Sequence, residues 1–418
     1  MVDDIEISNP PSRLPVVALF TANGISMVGT VMTHLAIPWF VLQTTGSAAK
    51  TGIVAFFIIL PTVFAAFIGG PLVDRLGFRR SSIITDCACA ITIGLIPLLY
   101  SAGLLEFWLL LVLVFIANLF ETPGGTARMA LLPDLAVRAN MTMEQASSAL
   151  QVIGRSSRLI GAPLAGLLIA LLGPSQVLWL DAATFAVSAI IITVATPRTK
   201  IKPGKEKSES FWEEMVGGFT FIWQDSLIKP VVLVVMVTNL LDGAVYGVIL
   251  PFYTKTFLGQ ALDMGLLIAV SGGGAVVGAL IFGAFSKKLP QREIFLWGFV
   301  IIGIEYAALA LVPPFWVLIL AFTVGGIAAG PINPIMGAVI FNRVPANSRG
   351  RVISAITAGA NVVTPIGVLG VGFILEQVDV RVVLAVMGII YILVTSSLFF
   401  SRGIHELGKP VKTVLEQN

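Results

Sequence analysis

The sequence predicts an all-α integral membrane protein with twelve transmembrane helices in two pseudo-symmetric six-helix halves. Three observations carry that prediction. The composition is too apolar for a solvated fold, the chain holds twelve apolar runs of membrane-crossing length, and its basic residues sort to one side of them.

Of the 418 residues, 56% are apolar and only 12% are Asp, Glu, Lys or Arg. Soluble proteins carry about 25% charged residues, so a mean hydropathy of +0.95 excludes a soluble enzyme, a nucleic-acid-binding protein or a disordered chain. The 26 basic residues barely exceed the 23 acidic ones. Cys87 and Cys89 are the two cysteines, and they define neither a disulfide framework nor a metal site.

A helix needs about 20 apolar residues to cross the hydrocarbon core. Such runs fall at 14–42, 52–73, 82–104, 107–128, 147–172 and 176–196, then at 230–257, 262–285, 294–313, 315–341, 352–375 and 383–401. Pro38, Pro251, Pro331 and Pro334 lie in the longest runs and predict tilted or kinked spans. The acidic start, MVDDIEISNPPSR, lacks the basic region of a signal peptide, so the first span is expected to be retained.

With twelve spans, both tails and five connections share one side. Of the 26 basic residues, only Lys50, Lys255 and Arg381 fall opposite, and Arg155 and Arg158 lie inside span five. The positive-inside rule therefore predicts a multi-pass protein of the cell membrane with both termini cytoplasmic.

Residues 1–196 form the first predicted half and 227–402 the second, followed by a cytoplasmic tail at 403–418. Between the halves, 197–226 begins as a basic linker. It continues with Trp212, Met215, Val216, Phe219, Ile222 and Trp223 on one helical face, the pattern of an interfacial amphipathic helix. The halves echo one another: Gly70 to Arg79 aligns with Gly283 to Arg292, and spans five and eleven carry Pro163 and Pro365. Two repeated halves suggest a transporter whose site lies between them.

The run Gly70-x-Leu72-Val73-Asp74-Arg75-x-Gly77-Phe78-Arg79-Arg80 sits between spans two and three. It resembles the loop signature of the major facilitator superfamily. The resemblance implies that Asp74 and Arg75, with Arg79 and Arg80, lock the cytoplasmic face in one state. Lys287 replaces the acid in the second copy, so the lock is expected to be one-sided. Gly154, Gly161, Pro163 and Gly166 in span five resemble the glycine–proline motif of the superfamily's antiporters, although Ala162 stands where that motif has glycine. Glu121-Thr122-Pro123, Leu131-Leu132-Pro133, Trp179 to Phe185 and Gly350-Arg351-Val352 are similar to the branch that contains macrolide efflux pumps and the enterobactin exporter. The arginine that many drug–proton antiporters carry in span four has no counterpart near Asn118.

Each ionisable group at mid-membrane costs about 2.5–3.5 kcal/mol on insertion scales, which makes these few residues the functional candidates. In the superfamily, spans one, four, seven and ten line the central cavity. Asn23, Met27 and His34 share a face of span one; Asn118 and Glu121 share one of span four; Asn239, Asp242 and Tyr246 share one of span seven. Asn333 and Asn361 are further polar candidates. At similar depths, Glu121 is expected to pair with Arg155 and Asp242 with Arg158, with the exchanged pairing equally open. Swapping an arginine for an apolar wall changes which protonation state a carboxyl prefers, so such pairs can couple protons to transport. A static ion pair would use the same residues. Asp86 is read as joining the Arg75 cluster, Asp181 as structural, and Glu305, on a peripheral span, has no assigned role.

No GxxxxGK[ST] phosphate cradle appears, so the expected energy source is the proton gradient, with no cofactor or metal. One proton across about 100 mV contributes about 2.3 kcal/mol and one pH unit about 1.4. The mixed lining suits an amphipathic or hydrophobic compound, such as a drug, macrolide or siderophore. A lipid or lysolipid flippase and a proton-coupled uptake transporter of the same fold are the alternatives. The partners are then substrate, protons and membrane lipids, with no nucleic acid, and the protein is expected to act as a monomer.

Overall fold

The computed structural model describes residues 12–197, 211–286, 288–345 and 348–407. The acidic start, most of the basic linker, Lys287 and the end of the tail lie outside these residues, as do the side chains of Asp74 and Arg75.

The described chain is helical throughout. In order the helices are α1 Leu14–Thr45, α2 Ala48–Leu76, α3 Phe78–Ser101, α4 Phe107–Arg138, α5 Met143–Leu172, α6 Pro174–Ala195 and the short α7 Phe211–Gln224. There follow α8 Ile228–Leu258, α9 Ala261–Phe285, α10 Gln291–Leu309, α11 Phe315–Arg343, α12 Arg349–Ile374 and α13 Val380–Phe400. Among the described residues, ten of these are long and apolar enough to cross a membrane. The other two long helices, α2 and α10, stand where the sequence predicts spans two and nine. Many large apolar side chains are exposed, Leu311 at 82% and Val194 at 80% among them, as a lipid-facing surface requires.

Helix ends follow local chemistry. The α5 helix begins at Met143 because Thr142 accepts from the Gln145 amide at 3.3 Å while Gln145 Oε1 accepts from the Thr142 amide at 3.2 Å. Gly77, at φ 86°, makes the turn between α2 and α3 in a conformation open chiefly to glycine. Regular helix stops at Ala329, resumes at Ile332 within α11, and breaks again at Asn361 ahead of Pro365 in α12. Two π-helical turns, Val245–Ile249 and Thr254–Leu258, interrupt α8 beyond Asp242.

By packing the chain forms two compact units. The first comprises the chain up to Ile37 and from Leu60 to the linker; the second comprises Pro38–Ile59 and everything after the linker. In the first, Val16 and Leu19 of α1, Leu131 and Leu135 of α4 and Leu150 of α5 make one apolar core. Gly124 of α4 takes α3 so close that a Cβ would stand 2.6 Å from Thr85 Oγ1.

In the second unit, Ile222 of α7, Ile228 and Val232 of α8, Ile340 of α11 and Val352 and Ala355 of α12 form the core. The predicted amphipathic helix is therefore docked: Phe219 lies 3.3 Å from a Cβ built on Gly359, and Lys229 Nζ sits 4.2 Å over the Trp223 ring. Asp225 accepts from the Leu227 and Ile228 amides at 2.8 Å, capping α8, and pairs with Arg343 at 3.1 Å. Helices α9 and α11 meet through Gly274, Gly278, Gly326 and Gly330, each backed onto a carbonyl of the other helix. Small residues four apart are what allow such approach in lipid. At the α1–α2 hairpin, Lys255 Nζ donates to the Leu42 carbonyl at 2.6 Å, and Glu376 accepts from Ser47 Oγ at 2.6 Å and the Ala49 amide at 3.0 Å.

Candidate functional site

In the first unit, α1, α4 and α5 enclose a cavity of about 680 Å³. Helix α1 contributes Asn23, Met27 and Thr30; α4 contributes Glu121, Arg128 and Met129; α5 contributes Met143, Ser147, Gln151, Arg155 and Arg158. Of the residues predicted from sequence, Asn23, Met27, Glu121, Gly154, Arg155 and Arg158 are thus brought to one wall. Flexible thioethers alternating with hydrogen-bonding groups make a surface that can fit varied amphipathic shapes.

Glu121 also faces away from the cavity. Its carboxylate lies 3.9 Å from His34 Nε2, and His34 lies 3.4 Å from Asn118 Oδ1. A void of about 10 Å³, room for one water, is lined by Thr30, His34, Asn118, Glu121 and Asp181 among others. Asp181 is fully buried, with Thr33 and Thr184 donating hydroxyls to it. Gly29 makes room for it, since any Cβ there would collide with the Asp181 carboxylate. Asp181 therefore belongs with the Glu121–His34 group, a neighbourhood its place in span six did not reveal.

The expected Glu121–Arg155 pair is not formed. Glu121 is engaged by His34, and neither Arg155 nor Arg158 has an ion pair or hydrogen bond among the described residues. The Arg75 side chain lies outside the described residues, and the described partners of Asp86 are on other helices. Helix α4 continues to Arg138, so Arg128 lies inside the helix rather than in a loop, and its Nη1 reaches both Asp86 oxygens at 2.9 and 3.1 Å. Ser188 of α6 donates to the same carboxylate at 2.6 Å. All three side chains are buried, so the pair ties α3, α4 and α6 together with its charges neutralised internally.

In the second unit, Asp242 of α8 accepts the Tyr306 hydroxyl of α10 at 2.6 Å. The Tyr306 and Tyr391 rings stack edge to face at 5.4 Å. Asn239 Nδ2 donates to the Ala360 carbonyl at 3.1 Å and lies 3.5 Å from Asn361 Oδ1, which brings two predicted polar residues together. Tyr246 is 38% exposed, and Asn333 is exposed. Glu305 is buried against Gly325 of α11, where a Cβ would overlap its carboxylate, and its Oε1 has no hydrogen-bond partner. Among the described residues no group of three His, Cys, Asp or Glu could hold a metal ion.

The family profile described as "Transmembrane secretion effector" matches residues 10–407. The chain belongs to this family of the major facilitator superfamily. Among its relatives, the multidrug efflux pump Tap of Mycolicibacterium fortuitum is 29% identical over 364 residues, covering 86% of this chain and 89% of that protein. The staphyloferrin A transporter of Staphylococcus aureus is 21% identical, covering 96% of this chain and 98% of its own. The solved nucleoside transporter NupG shares the fold at TM-score 0.74 and 14% identity, over 93% of this chain and 98% of the other.

The run that resembles the superfamily's loop signature lies at the α2–α3 junction. Gly70, Asp74 and Arg75 lie in α2, and Gly77 makes the turn. Arg79 donates to the Thr193 and Thr196 carbonyls at 2.6 and 2.9 Å, so it caps the C-terminal end of α6; Arg80 is exposed. The glycine–proline motif packs α5 on α1. A Cβ on Gly154 would touch Met27 at 3.3 Å, one on Gly161 would meet Val31 at 3.0 Å, and Ser157 donates to the Gly24 carbonyl at 3.3 Å. Pro163 and Gly166 follow on the same helix.

Proposed function

We propose that this membrane protein is a secondary transporter of the cell membrane that exports amphipathic or hydrophobic compounds by proton antiport with alternating access, its termini cytoplasmic. One observation carries the reading: Glu121 stands at the wall of the 680 Å³ cavity and reaches back to His34. A carboxyl placed there meets substrate on one side and a hydrogen-bonded group on the other. Substrate and proton can then exclude one another at one residue, which is the requirement of antiport. Asp242, held by a tyrosine hydroxyl, is the second proton-carrying candidate. The relatives named as multidrug efflux pumps support export as the direction.

The test is made with purified protein in sealed vesicles. A pH gradient should drive a fluorescent hydrophobic dye across the membrane, and an ionophore that collapses the gradient should stop it. Transport of lysolipid but of no dye would favour a flippase. Movement of dye along with the proton, rather than against it, would favour uptake.

A further inference from the structure

We propose that Arg155 and Arg158 form an anion-recognition subsite in the first-unit cavity, so that compounds joining an apolar body to a carboxylate or phosphate are preferred ligands. The proposal rests on the reading that this cavity carries the transported compound.

The two arginines stand three positions apart on α5, which puts them on one face, and both line the cavity and are exposed. Neither has an ion pair or hydrogen bond among the described residues. Arg128 of the same cavity is already bound by Asp86 at 2.9 Å, and the Glu121 carboxylate lies 3.9 Å from His34 Nε2. The α5 wall therefore presents two uncompensated guanidinium groups. Guanidinium is built for bidentate bonds to planar carboxylate and to phosphate oxygens. Arginines inside an apolar helix are costly to insert, and here no described residue partners them. An anion from outside would be that partner. Ser147 and Gln151 stand on the same helix to complete its hydrogen bonds, while Met27 and Met129 across the cavity offer apolar surface to the rest of the molecule.

The experiment measures binding by the full chain in nanodiscs of uncharged lipid, using dansyl-undecanoic acid, its methyl ester and a dansyl lysophosphatidate. The wild type should bind the acid about tenfold more tightly than the ester, as expected for charge-assisted bonds lost on esterification. Arg155→Gln with Arg158→Gln should bring acid and ester to parity, and a melting temperature equal to that of the wild type reports that the variant is folded. Arg155→Lys with Arg158→Lys should keep part of the preference. Either order of affinity between lysophosphatidate and the acid supports the subsite, and tells a lipid headgroup from a soluble acid. Equal binding of acid and ester by the wild type, or a preference that survives the double glutamine variant, overturns it. Transport of the same compounds in vesicles is scored separately. Acid-selective binding with no transport leaves the subsite standing and removes the export reading.

Discussion

Tyr306 donates its hydroxyl to Asp242 Oδ1 at 2.6 Å, joining α10 to α8 directly before the first π-helical turn of α8. Helix α10 thereby holds the one carboxyl of α8. Asp242→Asn keeps the shape and a hydrogen bond but removes the titratable group. We expect it to abolish uphill, pH-driven accumulation while leaving substrate exchange at equal pH. Tyr306→Phe should slow driven transport by about tenfold, the effect of losing one hydrogen bond of about 1.4 kcal/mol. Counterflow and driven uptake of labelled compound in the same vesicles separate the two effects.

The Arg128–Asp86 pair is buried, so removing one partner strands the other. Arg128→Met or Asp86→Leu alone is expected to cost about 3–5 kcal/mol, and the double replacement to recover much of that. Thermal unfolding of the four proteins in detergent reads this cycle directly.

Gly278 of α9 faces the Ile327 carbonyl of α11 with no room for a Cβ, whereas nothing lies within 4 Å of one built on Gly283. Gly278→Ala should destabilise the protein by about 1–3 kcal/mol through forced separation of the helices. Gly283→Ala, on the same helix, should be neutral or stabilising by up to about 1 kcal/mol. The two melting temperatures, compared with wild type, check the difference.

The Glu376 carboxyl is held below its ordinary range by the Ser47 hydroxyl and then the Ala49 amide. A group whose folded value is depressed stabilises the fold above its unfolded value and loses that contribution as pH falls through the folded one. Amide protection at the start of α2 should therefore be steady at neutral pH and fall below about pH 4, the carboxylate range. In Glu376→Gln the protection should be lower at neutral pH and should not change over that interval. Hydrogen exchange of the Ala48–Gly52 amides makes the comparison.

Much of the fold was legible because hydropathy and charge sorting act over whole helices. The signature from Gly70 to Arg80 and the Thr142–Gln145 cap are local, and they too can be read directly from the sequence. Partnerships were the part that sequence could not supply. Asp242 and Tyr306 lie on helices separated by the whole of α9, and nothing in their spacing links them. The apolar run of span four stops at Arg128, yet α4 runs on to Arg138 with both Pro123 and Pro133 inside it. Helix packing then delivered Asp86 to that arginine. The same effect freed Arg155: depth made it a plausible partner for Glu121, but rotation about the helix axes gave that carboxylate to His34 instead.

On the proposed reading, outward movement of an amphipathic compound is exchanged for inward movement of protons through Glu121. This exchange is tested most directly by recording the internal pH of vesicles containing the purified protein while such a compound is added to the substrate-loading side. The wild type should show compound-dependent proton movement opposite in direction to the compound, and Glu121→Gln should show none while still binding it. Wild-type export with no accompanying proton movement, or full proton coupling retained in Glu121→Gln, would contradict the account.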